Sequence, residues 1–369
     1  MKILITGANG FIGKNLISEL KNNGFNELFL CTRETTDTEL NEFTQKCDFV
    51  FHLAGVNRPK DKSEFYQGNY NFTTLLLELL KKNNNKAPIL MSSSIQAELD
   101  NDYGKSKMLA ENTVLEYSKE NSIKAYIFRL PNVFGKWSRP NYNSAIATFC
   151  YNISRDIEIQ VNNPNTELRL VYIDDVVKEF INVLTEKKIH EEVYCKIEKE
   201  YGKTLEEITN LLYSFKNSRD SLYLPDFQDE FTKKLYSTYL SFLPEEDFSY
   251  SLNSNVDNRG SFTEFIKTDD RGQVSVNVTK PGITKGNHWH HTKTEKFLVV
   301  YGEAIIKFRN IHSDKMIEYK VTGKNLEVVD IPPGYTHNIT NIGTTDLITI
   351  MWANECFDKN NPDTFYMEV

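Results

Sequence analysis

A doubly wound α/β sheet followed by an all-β barrel is the fold class the sequence predicts, and three observations carry that reading. The first apolar run, KILIT at residues 2–6, leads straight into GANGFIG and a helical pattern. Further strand-like runs at 28–31, 49–53 and 89–91 alternate with helical ones at 69–82 and 103–117, the rhythm of a parallel sheet with helical crossovers. From Gly260 onward, short alternating or β-branched segments are separated by turns, as in an antiparallel sandwich or barrel. At 369 residues the chain exceeds what one core usually serves, so two domains are expected, 1–246 and 247–369.

Composition excludes several classes of function. Hydrophobic content of 40% and charged content of 25% are those of a soluble globular protein. The net charge of −8 argues against nucleic acid or an anionic membrane as the main partner. No apolar run approaches the roughly 20 residues that cross a bilayer. The five cysteines are scattered without a C-x-x-C pair, which suits a reducing cytosol and an expected cytoplasmic location. Met1 leads directly into a strand pattern, so no signal peptide is expected.

Taken in order, the first strand ends at Gly7, Gly10 and Gly13. The first glycine permits a tight turn, the second lets backbone approach a pyrophosphate at a helix N-terminus, and the third lets helix and strand pack closely. Phe11 and Ile12, between them, are expected against the same cofactor. The second strand runs into Arg33, where an acidic residue would favour a ribose 2′-hydroxyl; a guanidinium suits a 2′-phosphate, hence NADPH. The third strand delivers Leu53, Ala54 and Gly55 to a small-residue turn where adenine or ribose fits; His52 is read as a buried structural histidine.

The fourth strand ends in Ser92, Ser93 and Ser94, and Tyr103-x-x-x-Lys107 follows on a helix. Tyrosine and lysine at i and i+4 share one face, and a nearby ammonium favours phenolate. Tyr103 is thus a proton donor to a carbonyl oxygen during hydride delivery, with a strand-end serine holding that oxygen. Residues 136–245 fit a smaller substrate lobe, in which Arg139 and Arg169 are candidates for gripping a diphosphate. Thr204 opens a helix there with Glu206 and Glu207 in its first turn.

The β region holds a different chemistry. Of seven histidines, His288, His290 and His291 fall in residues 282–302, and His337 follows in PPGYTHNITN. His288 and His290, two apart on a strand, share a face; with Glu295 and His337 they make a first shell for a divalent metal. Zinc is preferred because no redox step is required. His291 is expected to point outward.

These motifs resemble known families. GANGFIG, FHLAG, MSSS, Tyr103-x-x-x-Lys107, RLPNVFG at 129–135 and VYIDDV at 171–176 resemble the extended short-chain dehydrogenase/reductases, which act mostly on nucleotide sugars and carry a Rossmann-type sheet. The resemblance implies Tyr103 as acid/base, Lys107 as its tuning partner and ribose ligand, and Ser94, with Ser93 as the second choice, as the carbonyl-polarising serine. The interval of nine residues from Ser94 to Tyr103 is shorter than is usual there. The His288, His290, Glu295 and His337 spacings resemble the cupins, although Leu326 replaces the opening glycine of the second motif.

DNRGSF at 257–262 and TKGNH at 284–288 are similar to nucleotide-sugar 3,5-epimerases, in which the histidine matching His288 is a base rather than a ligand. We read it as a ligand and leave the base unnamed. The whole order resembles the bifunctional capsular polysaccharide enzymes of the CapF type. That implies a UDP-linked 4-keto-6-deoxy-N-acetylhexosamine, epimerised at C3 in the cupin and then reduced at C4 by NADPH, and a homodimer. The alternative is a single-function reductase whose cupin is a metal-stabilised dimerisation or binding module; a cupin dioxygenase would need redox-active iron.

Overall fold

The computed structural model describes residues 1–187, 192–360 and 362–369. Its first strands are β1 (Ile3–Thr6), β2 (Leu28–Cys31), β3 (Phe49–His52), β4 (Ile89–Ser94), β5 (Ala125–Leu130), β6 (Asn132–Phe134), β7 (Glu167–Tyr172), β8 (Tyr194–Cys195) and β9 (Tyr201–Thr204). Six of these form one sheet in the order β2-β1-β3-β4-β5-β8, with every neighbouring pair parallel. The residues of β1 and β3 are buried at every position. Both faces are covered, which is why these strands read as apolar runs rather than alternations.

Helices Phe11–Asn22 and Ile173–Leu184 cover one face through Leu16, Leu20, Val177 and Phe180. Helices Phe72–Lys82 and Asp102–Asn121 cover the other through Leu76, Leu80, Ala110 and Val114. This is the expected Rossmann-type layout. The chain moves outward from β1 to β2 and then to the opposite side at β3, so a crevice opens at the C-terminal ends of β1 and β3. A smaller sheet, β6-β7-β9, forms the second lobe. The helix Leu205–Ser221 begins at Thr204, whose hydroxyl accepts from Glu207 N–H at 3.1 Å while the Glu207 carboxylate accepts from Thr204 N–H at 2.8 Å. This reciprocal cap was legible at Thr204.

The described chain falls into two compact units: Met1–Tyr213 with Glu230–Pro244, and Ser214–Asp229 with Glu245–Val369. The division expected at 246/247 lies beside the last of these crossings, and residues 214–229 add an excursion the sequence did not disclose. Within the second unit, Leu224 N–H donates to Lys267 O and Lys267 N–H to Leu222 O, each at 2.8 Å.

The second unit is antiparallel throughout its ladders. Its strands are β10 (Ser254–Asp257), β11 (Gly260–Thr268), β12 (Gly272–Thr279), β13 (Thr284–Trp289), β14 (Glu295–Tyr301), β15 (Glu303–Asn310), β16 (Met316–Thr322), β17 (Val328–Ile331), β18 (Tyr335–Asn341), β19 (Leu347–Ala353) and β20 (Phe365–Tyr366). One sheet runs β10-β11-β12-β19-β14-β17, the other β16-β15-β18-β13-β20. Phe297, Val299 and Leu347 from the first meet Ile306, Phe308 and Ile339 from the second in a common core. Along β12 Gly272 is buried, as are the alternate side chains of Gln273, Ser275, Asn277 and Thr279, so the valines between them face the opposite way.

Candidate active cleft and candidate metal centre

The crevice beside β1 and β3 is a cavity of about 1160 Å³. Gly7, Gly10, Phe11, Ile12, Gly13, Arg33, Leu53, Ala54 and Gly55 line it, as do Ser94, Tyr103 and Lys107. Every cofactor and catalytic residue expected from the sequence is therefore brought to one cleft. Gly7 has φ +71°, and a Cβ on Gly13 would come within 2.4 Å of Gly7 O, so both glycines are required by backbone contact. Gly10 begins the helix without a side-chain cap. Its first N–H groups thus stay available to an anion, with the helix dipole behind them.

Of the three candidate catalytic residues, Ser94 ends β4, and Tyr103 and Lys107 stand on the helix Asp102–Asn121. The Tyr103 phenol is raised above its ordinary range by burial, a Ser94 hydrogen bond opposes that shift, and the nearby Tyr142 adds to it. The lowering influence comes from Ser94, not from Lys107 as expected. Lys107 is buried and its pKa falls to about 8 because burial outweighs the attraction of Glu111. Its ammonium donates to Ser92 O at 3.4 Å, and a Cβ on Gly55 would meet Lys107 Nζ and Asn69 Oδ1, each at 2.9 Å. The small residue at 55 makes room for both.

Ser93 is engaged elsewhere. Its hydroxyl donates to the fully buried carboxylate of Glu111, which also accepts from Arg129 Nη2 at 2.6 Å and from Tyr194 OH at 3.1 Å. Among the described residues Ser94 has no such carboxylate partner; its hydroxyl accepts from Gln96 N–H at 3.2 Å and bonds Tyr103. Glu111 escaped the sequence reading, although it lies one helical turn beyond Lys107 on the same face. Of the two arginines expected at a diphosphate, Arg139 lines the cleft and stacks on Tyr142 at 5.1 Å. Arg169 is not among the lining residues; it pairs with Glu200 at 2.7 Å instead.

His52 is buried as expected, in a relay that fixes its tautomer. Thr73 Oγ1 donates to Asn69 O at 2.5 Å, so it must accept from His52 Nε2 at 2.8 Å. His52 Nδ1, left as acceptor, takes the Thr6 hydroxyl proton at 2.8 Å. Burial, reinforced by Lys107, depresses the imidazole to about 3. Asn69 stands on a π-helical turn, Tyr66–Asn71, and its amide donates to Val56 O and Ser106 Oγ, each at 2.9 Å.

The second site gathers His288, His290, Glu295 and His337, whose ligand atoms all lie within 4.8 Å of one another. The ladder brings this about through a bulge. Gly286 pairs with Asn338, and the next pair is His288 with His337. Asn287, at φ +60°, is the extra residue and turns His288 onto the face of His337. His291 is exposed and packs edge-on against Trp289, outside the cluster.

The donor set fits a divalent cation. Nε2 of His290 and of His337 lie 3.4 and 3.2 Å from Glu295 Oε2. His337 Nε2 is off hydrogen-bond direction and, among the described residues, is a buried atom with no hydrogen-bond partner. Burial raises the Glu295 carboxyl, but the two imidazoles outweigh it and hold the group below its usual range. Burial first, and the neighbouring His337 second, push His288 down to about 4. A neutral imidazole at His288 and an ionised carboxylate at Glu295 are the forms in which those two groups bind a metal.

Comparison with known proteins places the chain. The NAD dependent epimerase/dehydratase family matches residues 3–195, and the polysaccharide biosynthesis C-terminal domain matches residues 255–365. Fold and cleft together define a nicotinamide-dependent short-chain dehydrogenase/reductase joined to an all-β unit. The chain belongs to the NAD dependent epimerase/dehydratase family and, along its whole length, to the CapF-type capsular enzymes. The capsular polysaccharide assembling protein CapF from Staphylococcus aureus is 55% identical, with a TM-score of 0.95 over 100% of both chains. A UDP-2-acetamido-2,6-beta-L-arabino-hexul-4-ose reductase from Pseudomonas aeruginosa is 50% identical over 100% of this chain and 99% of its own. The UDP-glucuronic acid 4-epimerase from Bacillus cereus shares the reductase fold alone, at 21% identity and TM-score 0.51 over 59% of this chain and 83% of the other.

Proposed function

We propose that this chain is a bifunctional nucleotide-sugar enzyme. Its β unit epimerises C3 of a UDP-4-keto-6-deoxy-N-acetylhexosamine, and its first unit reduces C4 to give UDP-2-acetamido-2,6-dideoxy-L-talose, on the route to UDP-N-acetyl-L-fucosamine. The observation that carries the reading is the presence in one chain of a Ser94–Tyr103–Lys107 cleft and a four-ligand cluster in a barrel whose inward face is polar along β12. The order follows from chemistry. A C4 ketone acidifies the C3 hydrogen through enolate formation, and reduction removes that ketone, so epimerisation comes first.

In the cleft, Arg33 would hold the 2′-phosphate of NADPH, which when bound would supply the hydride. Ser94 holds the ketone oxygen by a hydrogen bond. Tyr103 OH would give that oxygen its proton. Lys107, buried in the same cleft, would hold the nicotinamide ribose. Arg139 meets the diphosphate.

In the barrel, His288, His290, Glu295 and His337 would hold the ion, which we take to be zinc. Such an ion supplies positive charge toward developing oxyanion charge.

We assign the enzyme to the cytoplasm, as a homodimer. β10 is a sheet edge with all four residues exposed, Val256 to 73%, and such an edge is suited to pairing with a second copy. The test is incubation of the full chain carrying Tyr103→Phe with the 4-keto sugar in D2O. Deuterium at C3 without NADPH oxidation is expected; no deuterium sinks the epimerase half and leaves a reductase with a structural β unit.

A further inference from the structure

The fit of His290 to its task depends on the end of the chain. His290 Nδ1 lies 2.7 Å from the main-chain carbonyl of Asp363. A carbonyl only accepts, so Nδ1 carries the proton and donates it. In the neutral ring Nε2 then keeps its lone pair, on the side facing Glu295.

What places that carbonyl is the aspartate's own side chain. The Asp363 carboxylate accepts from the N–H groups of His291, Thr292 and Lys293, each at 2.9 Å, and from Thr292 Oγ1 at 3.2 Å. Its backbone is left-handed, φ +37°, a conformation a non-glycine residue keeps only where its surroundings impose it. The buried Lys293 adds a bond from Nζ to Pro362 O at 2.8 Å.

The following residues reach the other ligand strands. Phe365 and Tyr366 pair with Trp289 and His288. Met367 N–H donates to Asn287 O at 3.0 Å, and Met367 O accepts the hydroxyl of Thr336, beside His337. One short segment thus grips the backbone around His288, His290 and His337.

We propose that Asp363 is a positioning residue of the metal centre, and that residues 362–367 form a brace whose docking and metal occupancy reinforce each other. The proposal rests on reading the four-residue cluster as a metal site. Support is reciprocal: if the docked brace raises metal affinity, the metal must raise docking by the same factor.

The experiment titrates the full-length chain with Zn²⁺ against a chromophoric chelator. Asp363→Ala is expected to weaken zinc binding roughly 10–100-fold, the usual effect of losing an outer-shell partner. Asp363→Asn, which keeps one acceptor oxygen, is expected to fall between it and the wild type, and Thr292→Ala to stay near the wild type. Zinc is also expected to slow hydrogen exchange at the Met367 amide of the wild type. A wild type that binds no zinc removes the metal reading itself. A wild type that binds zinc, with wild-type affinity in folded Asp363→Ala, overturns the brace. If Asp363→Ala does not fold, a Met367 amide indifferent to zinc overturns it on its own.

Discussion

Proton placement decides the chemistry at single residues. Tyr103→Phe removes the proposed proton donor and is expected to slow NADPH oxidation by about 10²–10⁴-fold, read by loss of absorbance at the nicotinamide band. Ser94→Ala should approach that loss. Ser93→Ala should instead act through Glu111, lowering thermal stability more than turnover, because the Ser93 hydroxyl is spent on that buried carboxylate. His52 gives a pH prediction with a definite sign. Its folded pKa is depressed to about 3 from an ordinary 6.5, so between those values the unfolded chain binds a proton that the folded one refuses. Stability should fall as pH drops from 6.5 toward 3. A His52→Gln variant should lose that part of the slope in urea midpoints measured against pH.

At the scale of elements, two backbone devices carry the sites. A Cβ on Gly286 would press to 2.8 Å from His337 O, and Gly286 itself has φ +103°. Gly286→Ala should therefore displace the bulge and lower zinc retention on gel filtration, while leaving NADPH binding intact. Gly13→Ala should do the reverse, raising the Kd for NADPH by driving the helix Phe11–Asn22 away from Gly7 O. The glycine spacing, the Tyr103/Lys107 pairing and the histidine spacing were all legible in the sequence because each is a short-range pattern with a fixed geometric meaning. The bulge at Asn287 was not, since only the partner strand reveals that one residue is unpaired. Nor was the inward face of β12: QVSVNVT invites burial of its valines, yet the polar set is turned inside. Alternation reports two faces without saying which one is the lumen. Arg169 misled for a similar reason. Its partner Glu200 is 31 residues away and cannot be read from local pattern.

For the whole molecule, the two units should answer to different ligands. A metal that binds only the folded state adds stability according to its concentration over Kd. Chelation is therefore expected to lower the melting transition of the β unit in calorimetry, and NADPH to raise that of the reductase unit. A single transition shifted by both would show that the units melt together. The excursion of residues 214–229 bears on how such a chain is made. The helix Glu230–Leu240 belongs to the first unit and buries Phe231, Leu235 and Tyr239 there, with Phe231 against Phe134 at 5.6 Å. Synthesis runs from the N-terminus, so the first unit's closing helix leaves the ribosome only after a segment destined for the second. Until Glu230–Leu240 has emerged, the surface that Phe231, Leu235 and Tyr239 cover in the first unit is expected to stay open. Slower translation across residues 214–244 is expected to lengthen that exposure.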